Sequence, residues 1–405
     1  MSNLNEHLLT AIDVGSAKTC ALVAEITDAG LRYRSHGIVD SLGSRKGMIV
    51  DLERAVGSIQ RAVEEAENGI GAPIERAIVG IAGSHVRGVN SLGGISLGTR
   101  PREITREEIR HAVEKARAIS LPADRDVLHL LPQEFILDDQ PGIRDPLGMI
   151  GSKLEVRVHL VTAAGSATQN VVTAINRAGI HVDDTVFEPL ACADAALRSE
   201  ERELGVCLVD IGAGSTQLIA FVEGAVVHTA VLPVGGDHFT GDISVGLRTA
   251  LIEAERLKCN FGSAVVTRIP EGHEVEVPSV GDRPSRMVQQ RVLGEILEPR
   301  SRELFEMLRD NLRHSGMLEM CGAGVVLTGG GARLPGMLEI ADSILRKPVR
   351  MAWPAPLAKM PALLAEPEFT TVIGMIFYGH RARLVRGKEE EKWGVARLRA
   401  LFAKS

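Results

Sequence analysis

The sequence contains two copies of one short unit, in which an apolar strand ends in Asp-x-Gly, small residues make a turn, and a second apolar strand returns. The first copy spans residues 8–23 with Asp13 at its turn, and the second spans residues 206–220 with Asp210. We call them the first and the second acidic hairpin. The small residues of each turn let backbone N–H groups approach a bound anion closely. Two such turns that face each other could therefore grip one polyphosphate.

A third glycine-rich turn follows at residues 325–336, and a Glu-x-x-Lys pair, Glu255 and Lys258, lies between it and the second hairpin. We call residues 325–336 the glycine turn. Because glycines have no side chain, another part of a nucleotide can lie directly against the backbone of this turn. Glu255 and Lys258 share one face of a helix, so both can reach a ribose and base. Each feature alone is also typical of an ordinary hairpin or a surface ion pair. Their order and combination favour a nucleotide site.

The residue types at these turns suit a nucleoside triphosphate with Mg²⁺, which needs carboxylates that hold the metal through water and backbone donors for the phosphates. Asp13 and Asp210 are predicted to serve the metal; the alternative for each is a residue that only starts a turn. Lys18 either pairs with a phosphate or faces outward from the surface. The other residues predicted to bind ATP at the three turns are Gly15, Ser16, Ala17, Gly212, Ala213, Gly214, Ser215, Thr216, Gly329, Gly330, Gly331 and Arg333.

The composition predicts a soluble globular protein of several subdomains, because the chain has 405 residues with apolar and charged fractions of 45% and 24%. The formal net charge of −6 argues against general nucleic-acid binding. No apolar run is as long as the about 18 residues that a membrane-spanning helix needs, and the first residues lack a secretory pattern. We therefore expect a cytosolic protein. The five cysteines are scattered and indicate reduced core residues rather than metal ligands.

The hydrophobic periodicity predicts an α/β protein with an inserted unit at residues 84–160, in which Thr105 starts an amphipathic helix. In the first half we further expect a strand over residues 74–82 and helices over residues 51–67, 162–178 and 188–197. After the second hairpin we expect a helix over 237–259, a small β unit over 265–284, a long helix over 287–314 that is interrupted near Pro299, and a closing helix over 370–384.

The last residues, 392–405, contain four basic residues and no acidic one, and they follow a charged linker at residues 386–391. At about 100° per residue the apolar side chains fall on one side of a helix. Such a helix is about 21 Å long, so it lies in a bilayer surface rather than crossing it. The alternatives are a packing helix or a disordered end. The residues predicted to meet anionic lipid are Trp393, Val395, Arg397, Leu398, Arg399, Leu401, Phe402 and Lys404.

The duplicated acidic hairpin, the helical Glu-x-x-Lys and the late Thr-Gly-Gly-Gly resemble the signatures of the actin-like ATPase superfamily. The insertion after the first strand layer and the basic amphipathic end resemble, within that superfamily, the FtsA family of bacterial cell-division proteins. Further matching stretches are residues 127–134, 203–212, 277–281 and 326–330. The resemblance covers nearly the whole chain. It implies an actin-like fold, which is a duplicated ribonuclease H-like α/β fold with two lobes, an inserted subdomain IC and a C-terminal amphipathic helix.

The resemblance implies four subdomains and a tail with these bounds: residues 1–83, 161–200 and 366–385 for IA, 84–160 for IC, 201–232 and 304–365 for IIA, 233–303 for IIB, 386–391 for the linker and 392–405 for the membrane-targeting helix. It also implies ATP-dependent polymerisation at the cytoplasmic face of the inner membrane, at the division site. The implied partners are the C-terminal tail of FtsZ, further copies of the chain, anionic lipid, and later divisome proteins through subdomain IC. For the FtsZ tail the matching residues are Arg286, Arg300 and Glu303, for which surface ion pairs are the alternative.

The resemblance implies that hydrolysis depends on Glu188 and Asp210. Glu188 occupies the position where relatives have a residue that orients the attacking water. Many relatives have an acidic residue where this chain has Gln217. Because a neutral amide orders water less strongly than a carboxylate, we expect at most a slow ATPase. The alternative functions are a small-molecule kinase of the same superfamily and a pilus-assembly actin homologue. Neither of these explains the amphipathic end.

Overall fold

A computed structural model describes residues 7–281 and 283–385. The predicted linker at residues 386–391 and the predicted membrane helix at 392–405, with its eight named residues from Trp393 to Lys404, lie outside the described residues. Within the described chain, none of the helices is both long and apolar enough to cross a membrane.

The first half of the chain forms a five-stranded mixed sheet that contains the first acidic hairpin. The two strands of the hairpin are antiparallel, and Asp13 lies opposite Cys20 in their register. A strand from residue 76 runs parallel to the hairpin on its other side. The strand order across the sheet is His181–Phe187, Arg76–Ile81, Leu8–Val14, Lys18–Thr27 and Gly30–Asp40.

A second five-stranded sheet repeats this arrangement around the second acidic hairpin. Here Asp210 lies opposite Gln217, and the strand of the glycine turn runs parallel to the hairpin. The strand order is Val349–Met351, Val325–Thr328, Val206–Ile211, Thr216–Val222 and Ala225–Leu232. Because both sheets place the hairpin, its return strand and a parallel strand in the same order, the predicted duplication is confirmed.

The insertion forms a separate four-stranded antiparallel sheet with its own small apolar core. Thr105 precedes its helix as predicted, and the backbone N–H of Thr105 donates to Glu108 Oε2 at 2.8 Å. The strand order is Gln140–Ile143, Arg125–Leu137, Lys153–Ala164 and Arg87–Ser96. A short pair, Arg102–Glu103 with Ile150–Gly151, lies beside it. The subdomain boundaries given above remain predictions.

Helices cover the sheets and join the lobes, while two further short strand pairs complete the described chain. The helices are Leu52–Ile70, Arg106–Arg117, Gly165–Arg177, Glu188–Ala196, Ser199–Leu204, Gly236–Leu247, Leu251–Phe261, Arg291–His314, Met317–Met320, Met337–Leu345 and residues 370–385, with 3₁₀ turns at Val266–Arg268, Gly330–Arg333, Ala362–Ala365 and Pro367–Phe369. The strand pairs are Ser44–Arg45 with Met48–Ile49, and Glu274–Val277 with Arg286–Gln289.

Three predictions about secondary structure were wrong in detail. The helix expected over residues 237–259 is two helices, because Arg248 adopts a left-handed φ of 51° and ends the first of them. The helix expected from residue 287 begins at Arg291, since the preceding residues pair as a strand with Glu274–Val277. That helix continues through Pro299, where buried apolar side chains on both sides of the proline outweigh the lost hydrogen bond. The helix expected from residue 162 starts at Gly165, because Lys153–Ala164 stays paired as a strand.

Candidate functional site

The two lobes enclose a cleft of about 1350 Å³ that is lined by both acidic hairpins, the glycine turn and the helix Leu251–Phe261. Apart from Thr216, every residue predicted to bind ATP or to act in hydrolysis lines this cleft. Thr216 is buried, and its hydroxyl donates to the carbonyl oxygen of Val234 at 2.8 Å, so it supports the hairpin from behind. The Thr216 side chain is thus engaged within the fold, and the predicted part of its backbone in binding ATP remains a prediction.

The tips of the two hairpins touch each other across the cleft. A Cβ atom on Gly214 would lie 2.6 Å from Ser16 Oγ and 2.7 Å from the Cα of Lys46, so only glycine fits where the tips meet. Ser16 Oγ in turn accepts a hydrogen bond from the backbone N–H of Gly47 at 3.1 Å. The structure thus brings the two small-residue turns to one place, as the duplication predicted.

Three carboxyl groups face the floor of the cleft, and burial raises the pKa of each. The pKa of Asp13 rises to about 6, mainly through burial, with Lys18 opposing and Asp210 adding to the shift. Burial likewise raises the pKa of Asp210, against a hydrogen bond from Thr371 and the charge of Lys18. The pKa of Glu188 lies well above its ordinary value through burial and the charges of Asp13 and Asp210. A cation in the cleft would relieve this accumulation of negative charge.

The donor set fits a hydrated divalent cation. Asp13 and Asp210 offer carboxylate oxygens, the ligand type that Mg²⁺ prefers, and Mg²⁺ usually keeps several waters when it binds beside a phosphate. Within residues 7–281 and 283–385, no group of three or more His, Cys, Asp or Glu side chains is placed to hold a metal. Any Mg²⁺ held here would therefore depend on water and phosphate as well as on the two aspartates.

Glu188 is paired with Gln217, a relationship that the sequence did not predict. Glu188 begins the helix Glu188–Ala196, and Gln217 lies on the return strand of the second hairpin. The side-chain amide of Gln217 donates to Glu188 Oε2 at 3.0 Å. Both side chains are almost completely buried, and Gln217 Oε1 has no hydrogen-bond partner within the described chain. The residue predicted to orient water is therefore itself held by a hydrogen bond from Gln217.

Lys18 lies in the cleft and does not face outward. Its Nζ atom is 3.5 Å from Glu368 Oε1 and 3.7 Å from the centre of the Phe369 ring. Arg333 reaches the same carboxylate, with 2.6 Å between its Nη1 and Glu368 Oε2, and also contacts Glu366 at 3.4 Å. Sequence analysis missed Glu368, since an isolated glutamate before a helix carries no motif.

Glu255 and Lys258 both line the cleft, and they form an ion pair with each other. Lys258 Nζ lies 2.6 Å from Glu255 Oε2 and donates to Thr240 Oγ1 at 2.9 Å and to the carbonyl oxygen of Gly236 at 3.1 Å. Thr240 also donates to Glu255. This cluster fixes the helix Leu251–Phe261 against the preceding helix, so part of each side chain's capacity for hydrogen bonding serves the fold.

The three residues predicted to bind the FtsZ tail lie on or beside the helix Arg291–His314, and all three make contacts within the chain. Arg300 holds Asp242 through two hydrogen bonds of 2.7 and 3.0 Å, and it also contacts Glu303. The guanidinium of Arg286 donates to the carbonyl oxygen of Leu247. Their role in binding a partner remains a prediction.

Comparison with known families and proteins decides the family. The sequence model of the family described as "Cell division protein FtsA" matches residues 207–374, and the model "SHS2 domain inserted in FTSA" matches residues 83–162. The chain is 42% identical to the cell division protein FtsA of Pseudomonas aeruginosa over 373 residues, which are 92% of this chain and 89% of that protein. The chain belongs to the FtsA family. It is also 34% identical to FtsA of Escherichia coli strain K12, over 96% of this chain and 94% of that protein.

Solved structures of other proteins share the actin-like fold with this FtsA family member. The PilM-PilN type IV pilus biogenesis complex superposes with a TM-score of 0.67 at 17% identity, over 92% of this chain and 98% of that chain. MreB5 of Spiroplasma citri bound to ADP superposes with a TM-score of 0.53 at 14% identity, over 93% and 98% of the two chains. At these identities the likeness concerns the fold alone. The predicted fold class and the predicted family are both confirmed.

Proposed function

We propose that this chain is an ATP-binding, actin-like cell-division protein that polymerises at the cytoplasmic face of the cell membrane and tethers FtsZ filaments there. The observation that carries the proposal is the cleft in which two acidic hairpins and the glycine turn meet, within a chain of the FtsA family. The MreB structures that share its fold are described as bound to ADP and AMPPNP. ATP is therefore the ligand that we assign to this cleft.

In this assignment the backbone donors of Gly15, Ser16 and Gly214 would surround the phosphates, and Lys18 would supply a positive charge. The N–H of Gly212 donates to the carbonyl oxygen of Ser215 at 3.0 Å, so Gly212 contributes its lack of a side chain. Asp13 and Asp210 would hold Mg²⁺ through water, and a bound ion would neutralise phosphate charge and orient the nucleotide. Glu188 accepts hydrogen bonds from water at the cleft floor. Because the amide of Gln217 beside Glu188 is neutral and orders water less strongly than a carboxylate, we expect slow hydrolysis.

The nucleotide part is tested by calorimetric titration of the purified chain with Mg·ATP. Asp210→Ala and Glu255→Ala should each lower the affinity at least about tenfold, which corresponds to about 1.4 kcal/mol. Glu276→Ala, which changes an exposed acidic residue of the strand Glu274–Val277, is the matched control and should keep the wild-type affinity. Wild-type affinity in both cleft variants would remove these residues from the site.

The membrane part depends on residues 392–405 and is supported by their sequence. Vesicles with anionic phospholipid should pellet the full chain, and deletion of residues 392–405 should abolish this. Leu401→Glu places a charge on the predicted apolar face and should also abolish pelleting, while Ala400→Glu places the same charge on the opposite side of the helix and should retain it. Equal pelleting of all four proteins would contradict the role of the tail.

The same vesicles test the tether. With FtsZ filaments added, wild-type chain and ATP should bring FtsZ into the vesicle pellet, and the deletion variant should leave it in the supernatant. We further propose that subdomain IC meets later divisome proteins, and that copies of the chain assemble into a filament. A chain that sediments on vesicles but never recruits FtsZ would contradict the tethering function and leave the lipid attachment intact.

A further inference from the structure

A buried threonine at the start of the last described helix holds one of the cleft aspartates. Thr371 lies in the first turn of the helix at residues 370–385, and its hydroxyl donates to Asp210 Oδ2 at 3.1 Å. The exposed fractions of the two residues are 7% and 9%. No motif marked Thr371 in the sequence, and its partner lies 161 positions away.

The groups around the Thr371 hydroxyl determine which of them receives its hydrogen. A threonine hydroxyl has one hydrogen, and a carboxylate can only accept, so the hydrogen of Thr371 goes to Asp210. The thiol of Cys192, whose Sγ lies 3.5 Å from Thr371 Oγ1, is then the donor to Thr371. Cys192 belongs to the helix that begins with Glu188. Thr371 thereby connects the element that carries Glu188 to the carboxylate of Asp210.

The other carboxylate oxygen of Asp210, Oδ1, remains available on the side of the cleft. Gly329 of the glycine turn lies beside it, and a Cβ atom on Gly329 would come within 2.2 Å of Asp210 Oδ1. Glycine is also required there by a left-handed φ of 85°. One oxygen of Asp210 is therefore fixed by Thr371, and the other lies where only a glycine leaves space.

Thr371 itself is held at the junction of the two lobes. The carbonyl oxygen of Pro367 accepts hydrogen bonds from Thr328 Oγ1 at 3.1 Å, from Thr370 Oγ1 at 2.8 Å and from the backbone N–H of Gly329 at 3.2 Å. These bonds tie the start of the helix to the second lobe. Less than a turn later, Gly374 packs so closely on the first lobe that a Cβ atom there would lie 2.0 Å from the carbonyl oxygen of Ala191.

We propose that Thr371 is a positioning residue for Asp210: its hydroxyl selects the carboxylate orientation in which Oδ1 is available to a hydrated metal ion bound with the nucleotide. The inference rests on the proposed nucleotide function and adds to it a residue that acts through Asp210. It also makes the start of the last described helix part of the nucleotide site, because Thr371 in its first turn bonds Asp210.

The test compares four full-length chains: the wild type, Thr371→Val, Thr371→Ser and the matched control Thr249→Val. Each is titrated calorimetrically with ATP, once with Mg²⁺ and once with EDTA, and each is checked for folding by thermal unfolding. Thr371→Val should lower the affinity for Mg·ATP about tenfold, because the lost hydrogen bond orients the charged carboxylate that faces the metal ion. The affinity for ATP in EDTA should change less than about twofold. Thr371→Ser should restore wild-type affinity. Thr249→Val removes a similarly buried hydroxyl that donates to the carbonyl oxygen of Pro278 and does not line the cleft, so it should preserve the affinity.

A double-mutant cycle separates positioning from a general effect on the structure. In an Asp210→Asn chain, adding Thr371→Val should lower the affinity for Mg·ATP by less than about twofold, because residues that act through one contact are not additive. A full tenfold further loss in that background, or wild-type Mg·ATP affinity in Thr371→Val alone, overturns the inference. If Thr371→Val does not fold, Thr371→Ala replaces it with the same expected values. A wild-type chain that binds no nucleotide would instead refute the proposed function, and this inference with it.

Discussion

The amide of Gln217 donates to Glu188 Oε2 at 3.0 Å, at a position where both side chains are almost completely buried. The neutral residue lets Glu188 be buried beside Asp13 and Asp210 without a fourth negative charge. In this chain the identity of residue 217 therefore bears on stability as well as on the chemistry of the cleft.

Gln217→Glu should destabilise the fold in a pH-dependent manner. Two buried carboxyl groups at hydrogen-bond distance cannot both ionise, so the pair keeps a raised pKa in the folded state. The contribution of this carboxyl pair to the free energy of unfolding is fully present below the pKa of glutamate in the unfolded chain. It is lost as the pH rises through the pKa of the pair in the folded chain. Urea unfolding should show a loss of about 2 kcal/mol at pH 8 and a smaller loss at pH 5. Gln217→Met, which adds no charge, should lose about 1 kcal/mol at both pH values; the same pH profile in both variants would contradict the argument.

Lys18→Met should weaken binding of the phosphates and leave binding of the nucleoside unchanged. The methionine can pack against the ring of Phe369, over which Lys18 Nζ lies, while the positive charge in the cleft is lost. The affinity for Mg·ATP should fall at least about tenfold, since a charge-assisted hydrogen bond contributes about 1.5–3 kcal/mol.

The affinity for adenosine, measured in the same way, is the internal control for Lys18→Met. Glu368→Gln is a second control, because it leaves Lys18 in place and removes the carboxylate that pairs with it. Its affinity for Mg·ATP should not be lower than that of the wild type. An equal loss for ATP and adenosine in Lys18→Met would show that the lysine supports the fold of the cleft and does not contact phosphate.

His159 should make the contact between the insertion and the second lobe sensitive to acid. His159 Nδ1 lies 2.6 Å from Asn90 Oδ1, and His159 Nε2 lies 2.9 Å from Thr229 Oγ1. Burial, together with the charge of His228, lowers the pKa of His159 from 6.5 to about 4. The unfolded chain takes up this proton below about pH 6.5 and the folded chain does not, so the stability is complete above that pH and falls toward pH 4.

His159→Gln should therefore remove part of the acid sensitivity. Between pH 7 and pH 5 the unfolding free energy of the wild type should include a loss of about 2 kcal/mol from this residue, and the variant should lack it. The comparison is the difference between the two urea-unfolding series, because the buried carboxyl groups change both series alike. His181→Gln, at an exposed position of the first sheet, is the matched control and should follow the wild type. A His159→Gln series parallel to that of the wild type would contradict the assignment.

Arg300 provides a test of partner binding that separates a direct contact from support of the fold. Arg300→Ala should weaken binding of the FtsZ C-terminal peptide at least about tenfold if the guanidinium contacts the peptide. Asp242→Asn leaves the arginine in place and weakens only its internal ion pair, so it should retain peptide binding. Fluorescence anisotropy with a labelled peptide measures both. Equal losses in the two variants would mean that the Arg300–Asp242 pair supports the fold, as the surface ion-pair alternative holds.

Sequence reasoning succeeded where the determinants are local. Each acidic hairpin is specified by residues within one short segment, and the observed registers, with Asp13 opposite Cys20 and Asp210 opposite Gln217, follow from those segments. It failed at the break after Leu247, where Arg248 adopts a left-handed φ that no glycine marks in the sequence. It failed at Pro299 because the helix is stabilised there by side chains that are buried against distant parts of the chain.

The sequence by itself determined the duplicated plan of this protein, its family, and which residues reach the cleft, since strand patterns and glycine turns are read along the chain. Only the tertiary structure decided how those residues are paired. Glu188 meets Gln217, Lys18 meets Glu368, and Asp210 meets Thr371 across sequence separations of 29, 350 and 161 positions. Such contacts leave no periodic signal in the sequence, because they arise when two lobes and a shared helix close around one cleft and bury polar groups that must then find partners.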